Sequence, residues 1–198
     1  FRSVLSDSHT LVYGAEALHY NLMPGAYLPY GEESAVAPKV LDAEKAVEGA
    51  AYISDTWNIT DKFSLDYGLR FSMFNSDKFY GGPEWRLSGR YMISDHLSLK
   101  GGFNSMRQYV HMLSNSSAMS PTDTWKLCDK DIKPQEGWQA AAGLYASMFQ
   151  NKVEASVEGY YKHMDTYLDY KSGATIIMNE NIADDVVTTR GRAYGVEV

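Results

Sequence analysis

Glu154 and Glu158 stand four residues apart in VEASVEGYYK, and on an extended chain they point the same way. Paired carboxylates can act as acid and base on a glycosidic bond, or can form part of a charged wall that meets water. The neighbours favour the wall: Arg70, Arg86, Arg90, Lys100 and Lys162 alternate with Asp66, Glu84, Glu154 and Glu158 along segments of the same pattern. Five histidines, His9, His19, His96, His111 and His163, show no metal-ligand spacing and read as solvated or interfacial. Scattered serines form no Ser/His/Asp constellation, and no glycine-rich loop opens a helix to cradle phosphate. Gly101-Gly102 lies inside a strand pattern, where paired glycines mark a bend or a close strand approach. The residues imply neither a catalytic site nor a metal or cofactor.

The elements that must position these charges repeat every two residues. In FSLDYGLRFSMF, Phe63, Leu65, Tyr67, Leu69, Phe71 and Met73 make one face, while Ser64, Asp66, Gly68, Arg70, Ser72 and Phe74 make the other. The same alternation runs through 47–59, 84–93, 97–104, 138–148 and 153–162, less cleanly through 10–22, and into edges at 1–4 and 190–198. Helical spacing fits almost nowhere; a short helical turn is expected only around Ala43-Glu44-Lys45-Ala46.

Strand length narrows the class. Soluble strands average about 5–6 residues, whereas most of these run to about ten or more. At about 3.3 Å per residue and a tilt near 40°, ten residues climb roughly 25 Å, the height of the apolar band on an outer-membrane barrel. The connections give a second test. Those at 60–62, 94–96 and 149–152 are short, and they alternate with long ones at 24–46, 110–137 and 172–189 and a shorter one at 75–83. Short turns at one end and long loops at the other are barrel architecture. The reading is all-β: a section of a large antiparallel transmembrane β-barrel, with one face in lipid and Asp66, Arg70, Arg86, Arg90, Lys100, Glu154, Glu158 and Lys162 lining a wet lumen. Trp57, Trp85, Trp138 and Tyr91 read as girdle anchors, Trp85 and Trp138 on the rim opposite Trp57. Asp55 falls on the lipid parity with Ile53 and Trp57. Headgroup depth, where a charge costs about 0–1 kcal/mol, or a bulge accounts for it. Glu16 shares parity with Leu18 and Tyr20 in the strand whose facing is least defined.

Composition agrees. The 198 residues are 44% hydrophobic and carry a net charge of −7, without a basic cluster for nucleic acid. No apolar run is long enough for a transmembrane helix. The single Cys128 offers no disulfide framework within this stretch. Fifteen tyrosines and four tryptophans suit a surface wet at one end and oily at the other. The opening Phe1-Arg2-Ser3-Val4 and the closing GRAYGVEV read as cut strands, an internal part of a barrel domain spanning 1–198.

The order of several weak motifs carries a family likeness. AAYISDTWNITDKFSLDYGLRFSMF (50–74), SPTDTWKL (120–127), DIKPQEG (131–137), YYKHMDTYLDYKSGA (160–174) and GRAYGVEV (191–198) together resemble TonB-dependent outer-membrane receptors, in the branch with a carboxypeptidase-regulatory-like N-terminal domain. The resemblance implies about eight full strands of a barrel of about twenty-two, with the plug and TonB box outside this chain. It implies a Gram-negative outer-membrane importer of a small nutrient, a glycan, peptide or metal chelate. The partners it implies are outer-membrane lipid, the receptor's own plug, TonB and a surface lipoprotein lid. Specificity would then sit in the long loops, where Tyr27, Tyr30, Glu32, Glu33, His111, Trp125 and Lys126 are the candidate ligand contacts. Two other classes stand beside this one: an outer-membrane barrel enzyme, which a serine-reactive probe would label, and a soluble all-β binding module, which would stay monomeric without detergent.

Overall fold

The computed structural model describes residues 1–31, 33–35, 37–113, 124–149, 152–174 and 178–198. Nine strands form one antiparallel sheet: β1 (Arg2–Val4), β2 (His9–Leu22), β5 (Glu44–Thr60), β6 (Phe63–Asn75), β7 (Phe79–Ser94), β8 (Leu97–Gln108), β11 (Gln135–Met148), β12 (Val153–Tyr170) and β13 (Val186–Glu197), in that spatial order. Each is hydrogen-bonded to its neighbour in sequence around the sheet, the up-and-down order of a barrel wall. Two small hairpins, β3 (Ala26–Tyr27) with β4 (Lys39–Val40) and β9 (Val110–Leu113) with β10 (Thr124–Leu127), lie in the long connections, and a 3₁₀ turn covers Ile182–Asp185.

Register puts like with like across the strands. Tyr13, Ile53, Leu69 and Trp85 face one another in one row; Leu11, Asp55, Tyr67, Leu87, Phe103, Ala140, Tyr161 and Tyr194 make another. This apolar face has no layer packed on it: Ile53 is 49% exposed, Trp85 54% and Val157 49%. A water-soluble sheet must bury one face, so the sheet's interior stabilisation has to come from another apolar medium. The buried apolar clusters lie at the long-loop end. Ala46, Phe74, Tyr109, Leu127 and Cys128 form one cluster; Leu113, Ile132, Leu168 and Ile182 form a second. Phe74 and Tyr109 stack with ring centroids 4.9 Å apart, and the Tyr109 and Ser72 hydroxyls are 2.9 Å apart.

Three expectations are corrected. Ala43-Glu44-Lys45-Ala46 forms no helical turn, since β5 begins at Glu44. Tyr20 pairs with Ala46 and Leu22 with Glu44, and Ala46 is buried; cross-strand pairing outweighs the helix preference of a four-residue run. Between β6 and β7 only Ser76, Asp77 and Lys78 remain, because β7 starts at Phe79 and carries Pro83 within it. The β7–β8 ladder begins at Arg86, so Pro83 sits where β7 has no partner on that side, and the missing N–H costs little. Short connections therefore occur at both ends. Third, Trp85 is the seventh residue of the sixteen-residue β7, nearer mid-strand than rim.

Candidate functional site

The opposite face of the sheet carries the charges. Registration places Asp66, Arg70, Arg86, Arg90, Lys100, Glu154, Glu158 and Lys162 on one side, because each pairs only with positions of the same parity. They form two groups.

Arg70 is the centre of the first. Its guanidinium contacts Glu16 from β2, Glu48 from β5 at 3.5 Å and Glu84 from β7 at 3.4 Å. Tyr20 Oη donates to Glu48 at 2.8 Å. This settles the facing of β2: Glu16, Leu18 and Tyr20 lie on the polar side. Glu16 was hard to assign because alternation in 10–22 is poor; its pairing opposite Ala50 is what brings it to Arg70. Tyr52 of the same face lies over Gly14, where an added β-carbon would meet the phenol oxygen at 2.7 Å, so β2 can carry only glycine there without moving the ring.

The second group lies nearer the short turns. Arg90 faces Lys100 directly, and Arg86 faces Asn104 two rows along the same face, with Ser88 and Gly102 between. Lys100 Nζ sits 3.9 Å over the Tyr145 ring, whose hydroxyl donates to Glu158. Asp66 accepts from Thr56. An open hollow of about 500 Å³ between Asp66, Ser88, Arg90, Lys100 and Glu158 marks the concavity of this wall.

On the apolar face Asp55 is 8% exposed. His9 Nδ1 is 2.7 Å from its Oδ2 and Tyr67 Oη donates to the same oxygen at 2.9 Å. His9 in turn stacks on Trp57 at 5.4 Å. A polar cap, with no bulge at this position, lets a carboxylate occupy that parity: Asp55 pairs regularly with Tyr67 and Leu11.

The loop end gathers the other candidates unevenly. Tyr30 is 98% exposed, and Tyr27 and Glu33 are exposed too; Glu32 lies outside the described residues. Trp125 projects from β10 beside a cavity of about 430 Å³ that Asp42, Glu44, Lys126, Met178, Asn179 and Glu180 also line. Three separate long connections meet there. Lys39, bonded to Glu180 at 3.0 Å, ties the first to the last. Lys126 is held by Glu44 at 2.7 Å and Asp129 at 2.6 Å. Burial opposes its charge, but those carboxylates outweigh burial and raise its pKa; reciprocally, Asp129 is held below the usual carboxylate range in spite of burial, by Lys126 and the Ile132 amide. His111 is fully buried, with Nε2 3.1 Å from Cys128 Sγ. Burial pushes the imidazole down to about 4, against the pull of the Lys133 carbonyl, and pushes the Cys128 thiol up. A neutral ring beside an un-ionised thiol is a packed pair with no group turned to solvent. Sequence pattern alone missed Arg107, whose Nε bonds Glu136 at 2.9 Å and whose guanidinium occupies the space over Gly82 that a β-carbon would fill.

The remaining question is which fold family this wall comes from. Residues 2–198 match the family model described as "TonB dependent receptor-like, beta-barrel". The chain belongs to the TonB-dependent receptor β-barrel family. As such it is an outer-membrane protein, and the apolar face of its sheet is the one that lipid can cover. No curated protein matches it by sequence. Among solved structures this TonB-dependent receptor barrel is similar to the FrpB iron transporter from Neisseria meningitidis (F3-3 variant), with 15% identity and a TM-score of 0.64 over 99% of this chain and 31% of that one. It is also similar to the siderophore receptor PirA from Acinetobacter baumannii, with 15% identity and a TM-score of 0.62 over 95% and 31%. A third is the ferric-catecholate import receptor Fiu from Escherichia coli K12, with 14% identity and a TM-score of 0.60 over 95% and 32%. The chain thus spans about a third of these receptors' length, and at this identity the likeness is one of fold.

Proposed function

We propose that this chain is a section of the wall of an outer-membrane importer, energised through TonB, that takes up a small nutrient captured by its long loops. The observation that carries the reading is the two-sided sheet. An uncovered apolar face backs a charged one, with every long connection but one folded into a buried core at a single end. Lipid cannot satisfy backbone groups, so such a sheet serves as part of a closed barrel. In this reading the charged face lines the lumen and meets the receptor's plug, and the cavity beside Trp125 belongs to the ligand vestibule. Trp125 supplies an exposed ring there and Asp42 and Glu180 supply acceptors, while Tyr27 and Tyr30 stand exposed on the long connection that carries Asp42. The structural relatives are named for iron, a siderophore and a ferric catecholate, which puts chelated metal first among cargoes to test.

The experiment is uptake of labelled ferric chelates, oligosaccharides and oligopeptides by the parent bacterium, by a strain lacking the full-length receptor and by one lacking TonB. The proposal expects one cargo to be lost in both deletion strains. Unchanged uptake of all cargoes without the receptor, or receptor-dependent uptake that survives loss of TonB, overturns it.

A further inference from the structure

On three adjacent strands the apolar face turns charged at one level. In β12 the series reads Val153, Ala155, Val157, Gly159 and Tyr161, then His163. In β13 it reads Val196 and Tyr194, then Arg192 and Arg190. In β11 it reaches Trp138 and then Glu136. Trp138, His163 and Arg192 share one row across these strands. His163 stands ten residues past Val153, and on a strand tilted by about 40° that is a climb of roughly 25 Å, the full height of the apolar band. Phe103, Trp138, Tyr161 and Tyr194 lay a file of rings along this margin, with successive centroids 5.9, 5.5 and 6.4 Å apart.

The acids at the margin already have partners: Glu136 bonds Arg107 at 2.9 Å, and Asp165 bonds His163 at 3.2 Å. Among the described residues no carboxylate lies within ion-pair distance of Arg190 or Arg192, and both are exposed. With Asp165 counted in, the two guanidiniums still leave a positive excess. Just to the membrane side lies an apolar hollow of about 490 Å³, lined by Ala140, Ala142, Gly159, Tyr161, Tyr194 and Val196. Its floor is the row Ala142, Gly159 and Val196, which continues as Gly101 and Gly89, so no large side chain closes it from that side. A strand paired to the free edge of β13 stands beside Tyr194 and Val196, not over them, and leaves the hollow open.

We propose that this place holds one phosphorylated lipid of the outer leaflet, with its phosphomonoester between Arg190 and Arg192 and an acyl chain in the hollow. The two parts together select the occupant: a dissolved anion makes no use of the hollow, and plain hydrocarbon makes none of the guanidiniums. Arg190 and Arg192 are two residues apart on one face, about 7 Å along the strand, so both forks reach one phosphate. A phosphomonoester carries about −1.5 to −2 charges near pH 7 and matches two arginines better than the single charge of a phosphodiester. The assignment does not depend on which cargo the receptor imports.

The test is native mass spectrometry of the full-length receptor in detergent, titrated with monophosphoryl lipid A. The expected result is one tightly held lipid per receptor, with phosphatidylglycerol at least about tenfold weaker. R190Q/R192Q weakens the lipid A complex at least about tenfold, and R190K/R192K, which keeps the charge, recovers part of the loss. In Gly159→Leu the added β-carbon meets nothing nearer than the Gly195 carbonyl at 4.0 Å. That side chain fills the hollow without disturbing the sheet and weakens binding at least about fivefold. Retention within about twofold of the parent in both variants overturns the site. Loss in R190Q/R192Q alone, with inorganic phosphate displacing the lipid, overturns it and assigns the arginines to a dissolved anion. Loss in G159L alone overturns it and leaves only a groove for hydrocarbon. Equal affinity for phosphatidylglycerol overturns the phosphomonoester.

Discussion

Lys126→Met isolates the ion network that pins the β9–β10 hairpin to the sheet. Lys126 Nζ lies 2.7 Å from Glu44 Oε1 and 2.6 Å from Asp129 Oδ2, with its side chain 13% exposed. Glu44 Oε2 accepts the Leu127 N–H at 2.9 Å. Methionine keeps the apolar stem but leaves two carboxylates facing a half-buried space. Removing one partner of a buried pair costs about 3–5 kcal/mol, and the residual solvent at Glu44 and Asp129 lowers that to about 2–3 kcal/mol. The assay is hydrogen exchange at the amides of 124–133 in the full-length receptor, where 2–3 kcal/mol reads as about 30- to 150-fold faster exchange. The pH dependence fixes the cause. In the parent protein the folded Asp129 pKa is depressed, so its contribution is present above the unfolded carboxylate pKa and is lost as pH falls through the folded one. In the variant Lys126 no longer holds it down, so at about pH 5 more of the orphaned Asp129 is protonated than in the parent and part of the protection returns. E44Q/K126M recovers more than half of the loss at pH 7. Exchange in K126M within twofold of the parent, at both pH values, refutes the reasoning.

Leu69→Arg, mid-strand on the apolar face, destabilises the receptor by about 2–4 kcal/mol in lipid, while Ser64→Glu on the polar face, where the new carboxylate faces Arg90, stays within about 0.5 kcal/mol; urea titration in vesicles measures both. His111 has a folded pKa of about 4 against an ordinary value of 6.5, so stability of the loop core falls as pH drops from about 6.5 to about 4, by up to about 3 kcal/mol, and is flat above that window. Exchange at residues 109–113 between pH 7 and pH 4.5 reads this, and H111Q removes the slope. Phe74→Ala, at a fully buried stacked ring, costs about 3–5 kcal/mol in denaturant melts and loosens the β9–β10 hairpin.

The central strands were legible because nothing but alternation acts on them. In β6 each odd residue meets an apolar environment and each even one a polar environment, so Phe63 to Met73 sorts without ambiguity. Legibility ends where a second layer begins. Phe74 falls on the polar parity yet is completely buried, since the Tyr109 ring covers it. In β12 the register slips between Met164 and Tyr167, and past that irregularity Leu168 turns into the loop core, so alternation that holds to Lys162 cannot carry the strand to Tyr170. The Ala43–Ala46 run shows the converse, a local preference overruled by pairing partners more than twenty residues away. Of the charged positions, Arg86, Arg90 and Lys100 were readable as one face, because parity suffices for that. The clustering of Glu16, Glu48 and Glu84 on Arg70 was not, because it depends on which strands are neighbours and in what register. The burial of His111 against Cys128 was hidden for the same reason: both residues lie in one long connection whose fold has no periodic signature.

The whole account depends on the sheet dividing hydrocarbon from water. Single spin labels at positions 63 to 74 of the full-length receptor in bilayers measure that division one residue at a time. The account predicts high collision rates with oxygen at 63, 65, 67, 69, 71 and 73, access of an aqueous nickel reagent at 64, 66 and 68, and neither reagent at 74. Equal access of both reagents to odd and even sites contradicts it.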